Sequence, residues 1–237
     1  MSKKIKNGGN WLWSAGGKHP VARDFFITGD NSPLAQAFFD WAERGAESLI
    51  TKNGKDASAH SFRFWSKGSA ADQLVCGLVR SSCDQLGRPY PLMLLGSGML
   101  PDWENNWELL PFACEKVWEQ LEYIAVKRYS SVSDLQAELK KMKLPQYDWA
   151  AMAASLALGV NTAGIVSEPV VNDETTVLQC STEGDFTAHI TALHQRLKNT
   201  SNSSPRAVFI GGDAEHTAMF AFAAPLQSDN YLQMWLA

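Results

Sequence analysis

The sequence predicts an α/β (α+β) sandwich, a mixed, largely antiparallel central sheet flanked by helices. Three observations carry that expectation. Strand-like runs crowd the early part of the chain, helical spacing dominates the middle, and a strand–helix–strand–strand unit closes it, an irregular alternation unlike a doubly wound fold. Residues 84–95 join a polar turn to Leu92, Met93, Leu94 and Leu95, which offer apolar surface to both sides of a sheet. Finally, 237 residues with 45% apolar and 19% charged side chains suffice for a substantial core. The chain reads as one domain over 1–237. Any subdomain boundary falls near 130–160, where the helices are apolar enough to share the core.

In chain order, Trp11 to Ser14 reads as a short strand and Gly16 to Pro20 as the loop that ends it. Asp24 to Ile27 continues as extended chain. Ser32 and Pro33 start a helix, a hydroxyl N-cap followed by proline where its missing N–H costs nothing. Behind them Leu34, Ala37, Phe38, Trp41, Ala42 and Leu49 keep a three-four spacing, so the helix buries an aromatic stripe. Phe62 to Trp65, Leu74 to Val79 and Tyr90 to Leu95 are consecutive strands. A long helical pattern follows from about Pro101, with a break or a second helix start at Pro111. Ser131 and Ser133 compete to cap a short helix that ends among Lys140, Lys141 and Lys143. Residues 147–158, rich in alanine, predict a mostly buried helix closed by Gly159. Residues 175–180 and 207–210 are strands, with a helix over 186–197 between them. Residues 199–205 form a connection, 219–222 a strand and 231–236 a closing helical turn.

Composition excludes several functions. A net charge of −4 and a pI near 5.7 argue against nucleic-acid binding, which needs a clustered Lys/Arg face. Lys3, Lys4 and Lys6 form a short basic tail, but Asn7, Gly8, Gly9 and Asn10 follow where a secretory signal has its apolar segment. No apolar run reaches bilayer length, so a cytoplasmic protein without a membrane span is expected. The cysteines Cys76, Cys83, Cys114 and Cys180 make no C-x-x-C pair and read as reduced thiols, with no metal site and no cofactor expected.

Candidate chemistry is sparse. Gly16, Gly17 and Lys18, like Gly211, Gly212 and Asp213, follow strand-like segments, yet neither matches a phosphate-binding pattern, and turn glycines explain both. No nucleophile elbow surrounds any serine or cysteine, and His189 and His194 are spaced to face different directions. Asp213, Glu215 and His216 read as an exposed turn. The nine tryptophans mostly fall on core faces, although Trp103 and Trp107, interleaved with acids, also suit a protein-binding surface. At 84–88, Gly87 supplies a left-handed turn position, and Asp84 and Arg88 can pair across it.

Three ordered segments resemble the TagF/ImpM family of type VI secretion-associated proteins. Residues 17–25, carrying Lys18, Pro20, Arg23, Asp24 and Phe25, are similar to its G-K-x-P-x-x-G-D-F start, with Arg23 at the family's usual glycine. Phe62 to Trp65 corresponds to its aromatic strand. Residues 82–92, carrying Ser82, Asp84, Gly87 and Arg88, are similar to its S-x-D-x-x-G-R-x-F-P-L motif, with Tyr90 for phenylalanine. The match in order and spacing covers about 11–128. The resemblance implies a cytoplasmic, non-enzymatic accessory protein that restrains assembly of the secretion apparatus after translation by binding a protein partner, a forkhead-associated-domain protein among the candidates. Two other readings stay open: a small-molecule or nucleotide-responsive domain with weak hydrolase-like activity using Lys18, Asp24, Asp84 and Arg88 in one cleft, and a structural subunit of the apparatus. Asp84 and Arg88 are expected to lock the turn as a structural pair.

Overall fold

Apolar residues on both faces of the central strands dictate the architecture, because each face needs a helical cover. The computed structural model describes residues 6–7, 10–53, 59–159, 170–172, 175–179, 186–200 and 204–237. Its strands are β1 (Lys6–Asn7), β2 (Trp11–Gly17), β3 (Phe26–Gly29), β4 (Ser61–Lys67), β5 (Gln73–Cys83), β6 (Pro89–Met99), β7 (Gln146–Tyr147), β8 (Val170–Asn172), β9 (Thr175–Gln179), β10 (Ala207–Gly212) and β11 (Thr217–Phe222). Its helices are α1 (Pro33–Asn53), α2 (Leu110–Val126), α3 (Val132–Leu139), α4 (Trp149–Gly159), α5 (Phe186–Thr200) and α6 (Ser228–Trp235).

Among the described residues, nine strands form the main sheet in the order β3-β2-β6-β5-β4-β10-β11-β9-β8, and β1 pairs separately with β7. The sandwich read from the sequence is the one that forms. Every described pairing is antiparallel, so no parallel pair enters the sheet among the described residues. The C-terminal strands join the same sheet as the N-terminal ones: β10 lies between β4 and β11, with Phe209 opposite Phe64.

Strand alternation sorts the core into two layers. On β4, Phe62 and Phe64 turn toward α1 and α6, where Trp41, Phe209 and Tyr231 pack. Trp65 turns the other way, into a layer built by α2, α3 and α5 with Trp103, Trp118 and Leu193. The Trp65 indole donates to His194 Nε2 at 3.0 Å, while His194 Nδ1 lies 2.9 Å from the Ile190 carbonyl. Nδ1 therefore carries the proton, and a fully buried neutral imidazole ties α5 to the central strand.

Helix starts follow the predicted chemistry. The Ser32 hydroxyl accepts from Ala35 N–H at 3.3 Å, and Ser131 from Asp134 N–H at 3.2 Å. Pro111 sits in the first turn of α2, after two 3-10 turns, Trp103–Asn105 and Trp107–Leu109.

One expectation fails. Helix α4 exposes Ala150, Ala151, Ala153, Ala154 and Ala157 and packs mainly through Trp149, Met152 and Leu156. Absence of charge signalled burial, but alanine favours a helix at little cost in water. Of the two readings of Trp103 and Trp107, core packing is the one that holds: both are buried, with ring centroids 5.6 and 6.0 Å from Trp65. Strands β1, β7 and β8 are too short to carry a periodic signal. Part of the connection expected at 199–205 continues α5 through Thr200, and 201–203 lie outside the described residues, as do Lys3, Lys4 and Cys180. Among the described residues, no helix is long and apolar enough to cross a membrane.

Candidate functional site

The turn leading into β6 is held together by one aspartate. Asp84 Oδ1 accepts from the N–H groups of Leu86 and Arg88 at 2.9 and 3.0 Å. The Arg88 guanidinium donates to Oδ2 at 2.7 Å, and Lys18 Nζ lies 3.1 Å from the same oxygen. The Asp84 side chain is 0% exposed. Backbone bonds close the ring, Gly87 N–H to Asp84 O at 2.9 Å and Asp84 N–H to Arg88 O at 3.2 Å. Gly87 supplies the left-handed position this demands, at φ 76°. Burial alone raises the Asp84 carboxyl, but the N–H of Arg88, the Lys18 ammonium, the Arg88 side chain and the N–H of Leu86 outweigh it and hold it at about 2.

The same contacts bring the two motif loops together. Gln85 N–H donates to Ala22 O at 2.8 Å, and Arg88 Nη2 donates to Arg23 O at 2.7 Å while lying 3.4 Å from Asp24 Oδ2. Asp24 also accepts from its neighbour Phe25 N–H, the main cause that keeps its carboxyl low, with Arg88 second. Phe25 packs edge-on against Tyr90 with centroids 5.6 Å apart, and Lys18 Nζ lies 5.8 Å from the Tyr90 ring centre. At the root of the loop Gly17, at φ 120°, pairs with Leu92. A side chain there would collide with the Pro91 carbonyl oxygen.

Sequence reading placed Lys18, Asp24, Asp84 and Arg88 in one neighbourhood, and the structure brings all four into one chain of ion pairs. Ser82 lies beside them on β5, its backbone opposite Tyr90. Pro20, Arg23, Asp24 and Phe25 form an exposed rim, with Phe25 40% exposed. Arg23 acts through its carbonyl. Its φ is not positive, so replacing the family's usual glycine leaves this backbone unstrained. Leu86, 68% exposed at the turn tip, was missed; a lone apolar residue in a tip otherwise made of Gln85, Gly87 and Arg88 was the available signal.

Other candidates are spent elsewhere. Asp213 caps its own turn by accepting from Glu215 and His216 N–H at 2.9 and 2.8 Å. Gly211 faces the Ser61 carbonyl oxygen too closely for any side chain. His19 is buried beside Tyr129, its Nδ1 accepting from Val21 N–H at 3.1 Å; burial lowers its pKa against the opposing pull of the Lys127 carbonyl. The side chain of His189 lies outside the described residues.

The chain is similar to known proteins in two comparisons. The family model of the TagF N-terminal domain, type VI secretion system-associated, matches residues 15–142. Among solved structures, the crystal structure of PA0076 from Pseudomonas aeruginosa PAO1 aligns over 94% of this chain and 93% of that chain, with a TM-score of 0.58 and 16% identity, a likeness in fold. No curated protein matches. Both motif loops and the ion-pair chain that joins them lie inside the matched residues, more than half of the sequence, and the chain belongs to the TagF family of type VI secretion system-associated proteins.

Proposed function

We propose that this protein is a non-enzymatic, cytoplasmic accessory protein that restrains assembly of the type VI secretion apparatus after translation, by binding a protein of the machinery. A forkhead-associated-domain protein is the partner class that the family resemblance implies. The observation that carries this reading is the way Asp84 is used. Its oxygens accept four donors from within the chain and its side chain is buried, so the most diagnostic motif residue shapes a surface and has no free oxygen to offer a substrate. The surface so shaped carries two exposed apolar residues, Phe25 and Leu86, beside Arg88 and Asp24. An apolar centre with a charged rim is the usual composition of a protein-binding patch.

The test is affinity capture from the native cell. The wild-type chain should retain secretion-system proteins, and Phe25→Asp or Leu86→Asp should release them without loss of folding. Capture of no secretion component by the wild-type chain would sink the reading.

A further inference from the structure

A cavity of about 270 Å³ opens between the N-terminal half of α1, the end of β4, the start of β10 and the loop from β11 to α6. It lies away from the motif turn: Ser66 and Lys67, which line it, pair with Val75 and Leu74 at the end of β5 farthest from Cys83. Its volume is just below the roughly 300–1,000 Å³ of pockets that take drug-sized ligands, which leaves room for one compact body.

The lining divides into an apolar wall and a basic one. Phe38 and Trp41 on α1 face Leu226 across the cavity. The Trp41 indole N–H donates to the Gln227 carbonyl at 2.9 Å, so the ring is fixed, α1 is tied to the loop, and the wall offers carbon alone. Helical spacing puts Arg44 on the same stripe as Trp41. Arg206 enters from β10, its backbone held by Lys67 N–H at 2.8 Å, the Ser66 hydroxyl at 3.0 Å and its own N–H to the Phe222 carbonyl at 2.7 Å.

Charge in the cavity is of one sign. Arg44, Lys67 and Arg206 line it, and no aspartate or glutamate does among the described residues. The Lys67 ammonium is already used, 2.8 Å from the Glu104 carboxylate. Arg44 and Arg206 enter no ion pair and make no side-chain hydrogen bond among the described residues. A cleft lined by one sign of charge draws in the opposite sign, and a guanidinium fork matches a carboxylate or a phosphate.

We propose that this cavity is a binding site for a small organic anion, a compact apolar body with one carboxylate or phosphate head. The head is held by the Arg44 and Arg206 guanidiniums and the body lies against Phe38, Trp41 and Leu226. A cation would meet like charge, and an inorganic anion would leave the apolar wall unused.

The probes are benzoate and phenyl phosphate, with benzyl alcohol, benzylammonium and inorganic phosphate as controls, titrated into the full chain while the Trp41 indole N–H is followed by NMR. At least one of the two organic anions should give saturable shifts, and the tighter one names the head group. Both benzyl controls should give none, and inorganic phosphate should bind more weakly than phenyl phosphate. Arg44→Gln and Arg206→Gln, both at exposed positions, should each weaken binding about tenfold. No saturation by either organic anion, benzyl alcohol or inorganic phosphate binding as tightly as they do, or undiminished binding to both variants would overturn the proposal. In capture from the native cell, the double variant should keep every protein that the wild type retains. Loss of one would make the occupant an acidic side chain of that protein and overturn the assignment to a free ligand.

Discussion

His194 makes stability depend on pH in a way that can be worked out from the structure. It is fully buried and accepts from the Trp65 indole, so burial holds its pKa at about 4 against an ordinary 6.5, despite the opposing Ile190 carbonyl. Between those values the unfolded chain binds a proton that the folded one refuses. The contribution is complete above about pH 6.5 and declines as pH falls, by about 2 kcal/mol at pH 5 and about 3 kcal/mol at pH 4. The assay is urea unfolding at pH 7.5 and 5 of the wild type and of His194→Gln, which keeps an acceptor for the indole but does not titrate. The wild type should lose about 2 kcal/mol more than the variant between the two conditions. His19, lowered in the same direction, is present in both proteins and cancels. Asp84 acts below this window, its stabilisation present above its unfolded pKa and lost as pH falls toward about 2. Equal pH dependence in both proteins, or a His194 imidazole titrating near 6.5, would refute the buried neutral link between β4 and α5.

Other positions test the framework of the site. Gly17→Ala meets the Pro91 carbonyl oxygen and an unfavourable φ, so it should cost about 2 kcal/mol or more by thermal unfolding. Gly87 has the left-handed φ but nothing within 4 Å of an added Cβ. Gly87→Ala should therefore cost only about 1–2 kcal/mol, and Gly87→Asn less. Leu94→Ala, at a fully buried β6 position, should cost about 2–5 kcal/mol in denaturant unfolding. A thermal-shift panel of nucleotides should leave the melting temperature unchanged, whereas a ligand at a hundredfold excess over its Kd would stabilise by about 2.7 kcal/mol.

The elements most legible in the sequence were those where one local signal suffices. Ser32 with Pro33, Pro111, and the apolar run from Leu92 to Leu95 each act through cap, φ or burial chemistry, and the helices and strands form there. The Asp84–Arg88 pair was legible for the same reason, being four residues apart across a glycine turn. Lys18 joins Asp84 from a distant segment, and only the family motif hinted at it, because no local rule spans that separation. Helix α4 was misread where side-chain type had to stand in for three-dimensional cover. The cavity beside Trp41 was invisible, since its walls come from α1, β4, β10 and the loop before α6 and meet only in the fold.

Asp84 is spent inside the protein, knitting the two motif loops into one surface. Hydrogen exchange of individual amides in wild type and Asp84→Ala tests it most directly. The amides of Leu86 and Arg88, which donate to Asp84, and of Gln85, which bridges to Ala22, should exchange faster in the variant, while the paired amides of β5 and β6 keep their protection. Unchanged protection at Gln85, Leu86 and Arg88, together with loss of partner capture, would contradict it and make Asp84 a residue that touches the partner.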